Sequence, residues 1–227
     1  MPTLQKRTFM GRGIFEVKTL IAVPCFDMVH TDFMESIVNM QKADDAYFTV
    51  VKNTLIHIAR NIIASNAMEH KFERVLWLDS DMRFPVDMYH RLSKTMDETG
   101  CDLVTGLYFS RRPPIKPNVF TELHWEKDET GKIDAGAEYM WHYPEGIAEI
   151  AACGFGCCLT SVDIMRRVGE EFGTVFNPFE GMGEDMSFCL RAGKIGAKML
   201  IDTTIKCDHI GQAVYNEEYY KRQGVPE

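Results

Sequence analysis

Apolar and polar positions follow two alternating periods along the chain, and this pattern predicts strands alternating with helices. Short apolar runs typical of buried strands occupy 17–23, 47–51, 74–78 and 102–109. Segments with helical spacing of apolar residues, or bounded by proline and glycine, lie between them over 30–42, 55–70 and 85–99. This alternation indicates an α/β fold, a sheet flanked by helices.

The second half of the chain has a less regular pattern. A stretch with three prolines among basic residues, 111–117, predicts a loop. Further strands are predicted within 118–150, 147–160, 198–201 and 205–207, and helices over 161–168, 184–192 and 216–223. We expect a single domain over 17–211 with a soft boundary near Ser110, which separates a nucleotide-binding half, 17–110, from a second half, 111–211. Residues 1–16 are predicted to form a flexible N-terminus and 212–227 a C-terminal tail.

Composition narrows the class of protein. The 227 residues are 45% hydrophobic and 26% charged, which is typical of a globular domain. The formal net charge of -8 disfavours general binding to nucleic acids, because phosphates would be repelled. No apolar run approaches the roughly 20 residues that span a bilayer. Seven scattered cysteines indicate reduced thiols and a cytoplasmic location. The pattern carries no prediction of the oligomeric state.

The most informative segment is an apolar strand that ends abruptly in carboxylates. Residues 75–78 are all apolar, and Asp79, Ser80 and Asp81 follow directly. In an extended chain, residues two apart point the same way, so both carboxylates could face one spot. Ligands of open α/β sheets bind at the carboxyl ends of strands, and oxygen donors there suit Mg²⁺ or Mn²⁺. In the alternative interpretation, Asp79 caps a turn and Asp81 is solvated; the preceding buried strand favours the metal site.

Here the chain resembles a family. The 78–81 segment is similar to the DXD motif of GT-A glycosyltransferases, which use nucleotide-sugar donors. Three other segments follow the order of these enzymes: the first strand and turn at 21–27, the acidic motif at 183–188 and the late histidine segment at 207–211. The resemblance covers about 17–211. It is closest to short family-2-like and Anp1-like transferases, including phage-encoded members, which would act in the host cytoplasm.

The resemblance implies a GT-A-like, Rossmann-like mixed sheet and a metal-dependent hexosyltransferase-like activity. A UDP- or GDP-sugar donor would pass its sugar to a hydroxyl of a glycan or another acceptor. The implied metal, Mn²⁺ or Mg²⁺, would be held by Asp79, Asp81 and His209. The implied donor contacts are Pro24, Phe26, Asp27, Arg60, Asp79, Ser80 and Asp81. In an inverting enzyme Asp185 would be the general base and Glu184 would orient a substrate; in a retaining enzyme Asp185 would only position substrate.

Several of these residues have simpler interpretations. Glu184 and Asp185 suit the first turn of any helix, where the dipole stabilises acidic residues. His57, Arg60 and Asn61 share a helix face that is either solvated or, for Arg60 above all, directed at a phosphate.

The remaining motifs leave alternatives open. Arg111 and Arg112 could hold a diphosphate or an acceptor, or lie on a solvated loop. The cysteines within 153–158 have no second close pair, so buried small side chains are favoured over a zinc site. Residues 51–54 lack the acidic residue that reads uracil in many family-2 enzymes, which leaves the donor base open.

Two rival functions remain. The first is a nucleotidyltransferase that makes nucleotide sugars, although the turn after the first strand, 24–27, lacks the glycines of a phosphate loop. The second is a nucleotide- or glycan-binding module without catalytic activity.

Overall fold

The protein is described by a computed structural model over residues 18–44, 46–211 and 214–223; the predicted flexible segment 1–16 lies outside the described residues. The strands, in chain order, are β1 (Thr19–Cys25), β2 (Tyr47–Lys52), β3 (Arg74–Leu78), β4 (Met82–Arg83), β5 (Leu103–Leu107), β6 (Val119–Lys127), β7 (Ile133–Tyr139), β8 (Ile147–Glu149), β9 (Ala152–Cys153), β10 (Cys157–Ser161), β11 (Met199–Lys206), β12 (Asp208–Ile210) and β13 (Val214–Tyr215). The helices are α1 (Thr31–Asn39), α2 (Ile56–Glu69), α3 (Met88–Thr99), α4 (Val162–Phe172), α5 (Glu184–Lys194) and α6 (Glu217–Gln223).

A seven-stranded mixed sheet forms the centre of the molecule, in the order β2-β1-β3-β10-β5-β11-β8. Strands β2, β1, β3, β5 and β11 run parallel, whereas β10 and β8 run in the opposite direction. The carboxyl ends of β1, β3 and β5 therefore meet at one edge of the sheet, together with the start of β10. The α/β class predicted from the pattern is confirmed.

Helices cover both faces of this sheet, which explains why β1 and β3 are apolar from their second residue onward. Along β1, Leu20 and Ala22 belong to the core beneath α2, α4 and α5. Their neighbours Ile21 and Val23 belong to the core on the opposite face, beneath α1 and α3. The same alternation runs along β3, so two cores hold the central strands in one register.

A small second sheet, β13-β12-β4, lies beside the end of β3. Its pairing sets His209 opposite Met82, and the Ile210 N–H donates to the Asp81 carbonyl at 2.8 Å. This sheet carries a residue of the late histidine segment to the carboxylates after β3. The pattern did not predict β4, because two residues are too few to show a period.

Two predicted elements have different bounds in the structure, and a third forms as predicted. Helix α3 begins at Met88 rather than Pro85, since the Met88 N–H closes a turn on the Pro85 carbonyl at 3.1 Å. The two strands predicted over 198–201 and 205–207 are one strand, β11, with an irregular register. The predicted C-terminal helix forms as α6, and its Tyr220 is buried in the main core, stacked on Phe109.

Candidate functional site

The segment 79–82 is a turn, not an extension of β3. The Met82 N–H donates to the Asp79 carbonyl at 3.2 Å, while the Asp79 N–H donates to the Gly156 carbonyl at 3.1 Å. The expectation that Asp79 and Asp81 face one spot rested on an extended backbone. Because the backbone turns, the two carboxylates have different partners.

Asp79 faces a buried arginine. Arg60, on α2, is only 2% exposed, and its Nη2 donates to Asp79 Oδ1 at 3.0 Å. Its Nε donates to Glu184 Oε1, also at 3.0 Å. The guanidinium carbon lies 5.5 Å from the ring centre of Trp77 and 5.3 Å from that of Phe155, within cation–π range. Arg60 thus links the turn after β3 to the helix of the acidic motif.

Asp81 has a different pair of partners, His209 and Arg111. The His209 Nδ1 donates to the Phe109 carbonyl at 2.9 Å, which directs Nε2 of the same ring toward Asp81. That Nε2 lies 3.6 Å from Asp81 Oδ1, and Arg111 donates to Asp81 Oδ2. Partial burial opposes ionisation of Asp81, but the hydrogen bond and charge of His209 and the charge of Arg111 outweigh it and lower its pKa.

The pair Asp81 and His209 fits part of a divalent-metal site. It offers an oxygen and a nitrogen side by side, and the Phe109 carbonyl orients the imidazole as outer-shell groups do in metalloproteins. Over the described ranges, no group of three or more His, Cys, Asp or Glu side chains is arranged to hold a metal. A cation here would need further oxygens, which a bound diphosphate and water supply in many Mg²⁺ and Mn²⁺ sites.

Glu184 and Asp185 open helix α5, with Gly183 at the N-cap. Asp185 Oδ1 accepts a hydrogen bond from the Met186 N–H at 2.7 Å. Burial, and then the charge of Glu184, raise the pKa of Asp185 to about 6. A carboxylate with such a pKa is ionised at neutral pH yet holds a proton more tightly than an ordinary one, which suits a general base.

Tyr108 is a neighbour of the site that the sequence pattern did not reveal. Its buried hydroxyl accepts from the Gly156 N–H at 3.0 Å, and its ring lies edge-on to His209 at 5.7 Å. A Cβ on Gly154 would come within 2.2 Å of the Tyr108 hydroxyl oxygen. The position of the Tyr108 hydroxyl therefore requires glycine at 154. No periodicity or motif distinguishes Tyr108 along the chain.

The residues predicted to line the nucleotide pocket follow β1 to the same edge. Pro24 is buried, whereas Phe26 and Asp27 are exposed. The Phe26 carbonyl accepts from the Asn53 N–H at 2.8 Å, which ties the turn after β1 to the turn after β2. The Ser80 carbonyl accepts from the backbone of residue 30 at 3.0 Å. An exposed aromatic ring and a carboxylate thus border the edge that holds Asp79 and Asp81.

Other candidates lie apart from these groups. Asn61 bonds to Asn177 at 2.9 Å and accepts from the Phe176 N–H at 3.0 Å, so it holds the segment before α5 in place. His57 is half-buried on α2, and Arg112 is exposed. All seven cysteines are free thiols, six of them buried, in agreement with the interpretation as small core side chains.

No protein-family profile matches the chain, and no curated protein matches it in sequence. Solved structures do match. A197 from STIV superposes with a TM-score of 0.62 at 17% identity, over 86% of both chains. GalNAc-T7, solved with UDP, GalNAc and Mn²⁺, superposes with a TM-score of 0.57 at 13% identity.

The match to GalNAc-T7 covers 90% of this chain and 45% of that one, so this chain spans less than half of its length. At these identities the likeness concerns the fold. The protein has a GT-A-like fold, as its motifs implied. No helix within the described ranges is long and apolar enough to cross a membrane.

Proposed function

We propose that this protein is a metal-dependent glycosyltransferase that moves a sugar from a nucleoside-diphosphate donor to a hydroxyl of an acceptor. One observation carries the proposal. At the carboxyl end of β3 in a GT-A-like sheet, Asp81 lies beside His209, and Asp79 interacts electrostatically with both of them and with Asp185, a carboxylate of raised pKa. The bound UDP, GalNAc and Mn²⁺ of GalNAc-T7 support the assignment of nucleotide-sugar chemistry to this fold.

The donor side would be formed by the turns after β1 and β3. Asp81 and His209 would hold Mn²⁺ or Mg²⁺, which neutralises charge on the departing diphosphate when bound. Pro24, Phe26 and Asp27 would border the nucleotide. Asp79 would face the donor while Arg60 holds its carboxylate, so Arg60 would act through Asp79 and not by direct contact with a phosphate.

The acceptor side would be formed by the start of α5. Asp185 would take the proton of the acceptor hydroxyl, because its raised pKa lets it accept a proton near neutral pH. Glu184 would orient the acceptor or sugar, held by its bond to Arg60. The net charge of -8 favours a glycan or a similarly uncharged hydroxyl compound over a bare nucleic acid as acceptor.

Calorimetric titration with UDP, GDP and their sugar conjugates, with and without Mn²⁺, tests this proposal. We expect one nucleotide to bind only when the metal is present, which would also identify the donor class. Binding of neither nucleotide under any condition would contradict the proposal.

Turnover separates the rival functions. A transferase releases the nucleoside diphosphate from its donor, slowly with water and faster with acceptor. A protein that binds the donor tightly but releases no nucleotide with any hydroxyl acceptor would be a binding module. Formation of pyrophosphate from a nucleoside triphosphate and a sugar phosphate would instead indicate a nucleotidyltransferase.

A further inference from the structure

The loop over 110–117 is fastened at its base beside the proposed metal ligands. The Ser110 N–H donates to the Lys116 carbonyl at 2.8 Å, and the Lys116 N–H donates to Ser110 Oγ at 3.0 Å. Just before the loop, the Phe109 carbonyl contacts His209 Nδ1. Arg111, the second residue of the loop, is thus held close to His209.

Of the three basic side chains in this loop, Arg111 is the one that contacts the site. It donates to Asp81 Oδ2, while His209 lies against the other oxygen of the same carboxylate. The Lys116 ammonium lies 4.6 Å from the ring centre of Tyr139, and the Arg112 side chain is exposed. Arg111 is 48% exposed, and an ion pair in that setting is weak enough to exchange partners.

A cation between Asp81 and His209 would therefore compete with Arg111 for Asp81. Two positive groups on one carboxylate repel each other, so metal binding at Oδ1 weakens the contact of Arg111 with Oδ2. A nucleoside diphosphate offers an alternative anion, and a planar guanidinium can bind it through two parallel hydrogen bonds. With the diphosphate present, both positive groups have an anionic partner at the same edge of the sheet.

We propose that Arg111 is a diphosphate-binding residue which, in the absence of donor, occupies the metal-binding carboxylate of Asp81. The inference rests on the proposed function and extends it. Arg111 exchanges Asp81 for the diphosphate when the metal takes Asp81. The protein without nucleotide consequently binds the metal weakly. Each ligand raises the affinity of the protein for the other, so metal and nucleotide bind cooperatively.

The test compares Arg111→Gln with Arg112→Gln, which removes the same charge one residue further along the loop. Electron paramagnetic resonance measures Mn²⁺ binding to the protein alone, and calorimetry measures UDP and GDP binding in saturating Mn²⁺. We expect Arg111→Gln to tighten binding of Mn²⁺ alone by about tenfold, because a neighbouring positive charge is removed. The same variant should weaken nucleotide binding by about tenfold, through loss of charge-assisted hydrogen bonds.

Opposite shifts of the two affinities in Arg111→Gln, with Arg112→Gln like the wild type, are the expected result. If only the loss of a positive charge matters, the affinities of both variants will change alike. If Arg111→Gln disturbs folding, it will bind both Mn²⁺ and nucleotide more weakly. Either pattern overturns the role of Arg111. In those cases a wild-type protein that still binds nucleotide with Mn²⁺ leaves the proposed function standing. If the wild type binds neither nucleotide with Mn²⁺, the proposed function and this inference both fall.

Discussion

Two arginines contact the carboxylates of this site in very different surroundings. Arg60 is 2% exposed and is shared by Asp79 and Glu184 at 3.0 Å each. Arg111 is 48% exposed and contacts Asp81 alone among the described carboxylates. Arg60 joins the turn after β3 to helix α5 from inside the fold, whereas Arg111 covers the Asp81 carboxylate at the surface of the site.

Burial explains why these pairs are suited to different tasks. A buried ion pair is costly to separate, because either partner left alone keeps a charge away from water. An exposed pair is held by a weak net interaction and can be replaced by another ion. The Arg60 pairs therefore hold the turn after β3 and the start of α5 in fixed relation, while the Arg111 pair can open for a ligand.

The largest effect is expected from removal of the buried arginine. Arg60→Met leaves Asp79 and Glu184 without their shared partner and should lower the free energy of unfolding by about 2–4 kcal/mol. Urea unfolding measures this difference. The matched control is Arg191→Met, since Arg191 is also buried but bonds to a backbone carbonyl at 3.4 Å. We expect the control to lose clearly less stability, and equal losses would contradict the importance of the carboxylate pairs.

Removal of the Asp81 carboxylate should affect ligand binding more than it affects stability. Asp81→Asn is expected to weaken Mn²⁺ binding in the presence of nucleotide by about 100-fold, because a metal ligand is lost. The control is Asp208→Asn. Asp208 is about as exposed as Asp81 and is paired with Arg83 at 2.6 Å in the neighbouring small sheet. If both variants bind Mn²⁺ like the wild type, Asp81 is not a ligand.

The raised pKa of Asp185 predicts how activity depends on pH. A general base must be ionised, so kcat/KM should rise up to about tenfold per pH unit below pH 6 and level off above it. Glu184→Gln removes one cause of the shift and should move this midpoint to lower pH. A profile without a midpoint near pH 6, or one that Glu184→Gln leaves in place, would contradict the assignment.

The raised pKa of Asp185 also predicts that this carboxylate lowers the stability of the folded protein at neutral pH, although activity requires it. Folding raises the pKa of Asp185 above its ordinary value of 3.8, so the folded state holds the proton more tightly than the unfolded state. The resulting stabilisation is present below pH 3.8 and is lost as the pH rises through about 6. Asp185→Asn should therefore be inactive yet more stable than the wild type at pH 7, as thermal unfolding can show.

The smallest effect on stability is expected from replacing an arginine that has two carboxylate partners but an exposed side chain. Arg166 on α4 contacts Asp163 at 2.6 Å and Glu170 at 2.8 Å, the same number of partners as Arg60. All three side chains are exposed, so Arg166→Met should leave urea unfolding unchanged within error. A loss comparable to that of Arg60→Met would show that partner number, not burial, sets the strength of these pairs.

Strand β3 and the carboxylates after it could be predicted from the sequence, because the apolar run and the acidic residues are neighbours along the chain. An unbroken apolar run predicts a buried strand, and the oxygens of Asp79 and Asp81 follow it directly. The expectation that they face one spot rested on an extended backbone, whereas 79–82 turns and the two carboxylates bond to different partners. Tyr108 could not have been predicted, since its role depends on a close approach to Gly154 and Gly156 from another strand.

The sequence by itself determined the alternation of strands and helices, the acidic turn after β3 and the acidic start of α5, because each depends on neighbours within a few residues. Only the tertiary structure decided which charge meets which. Arg60 lies 19 residues from Asp79 and 124 from Glu184, and His209 reaches Asp81 through the pairing of β12 with β4. The strength of each contact follows from burial, which is a property of the packed fold and not of the local sequence.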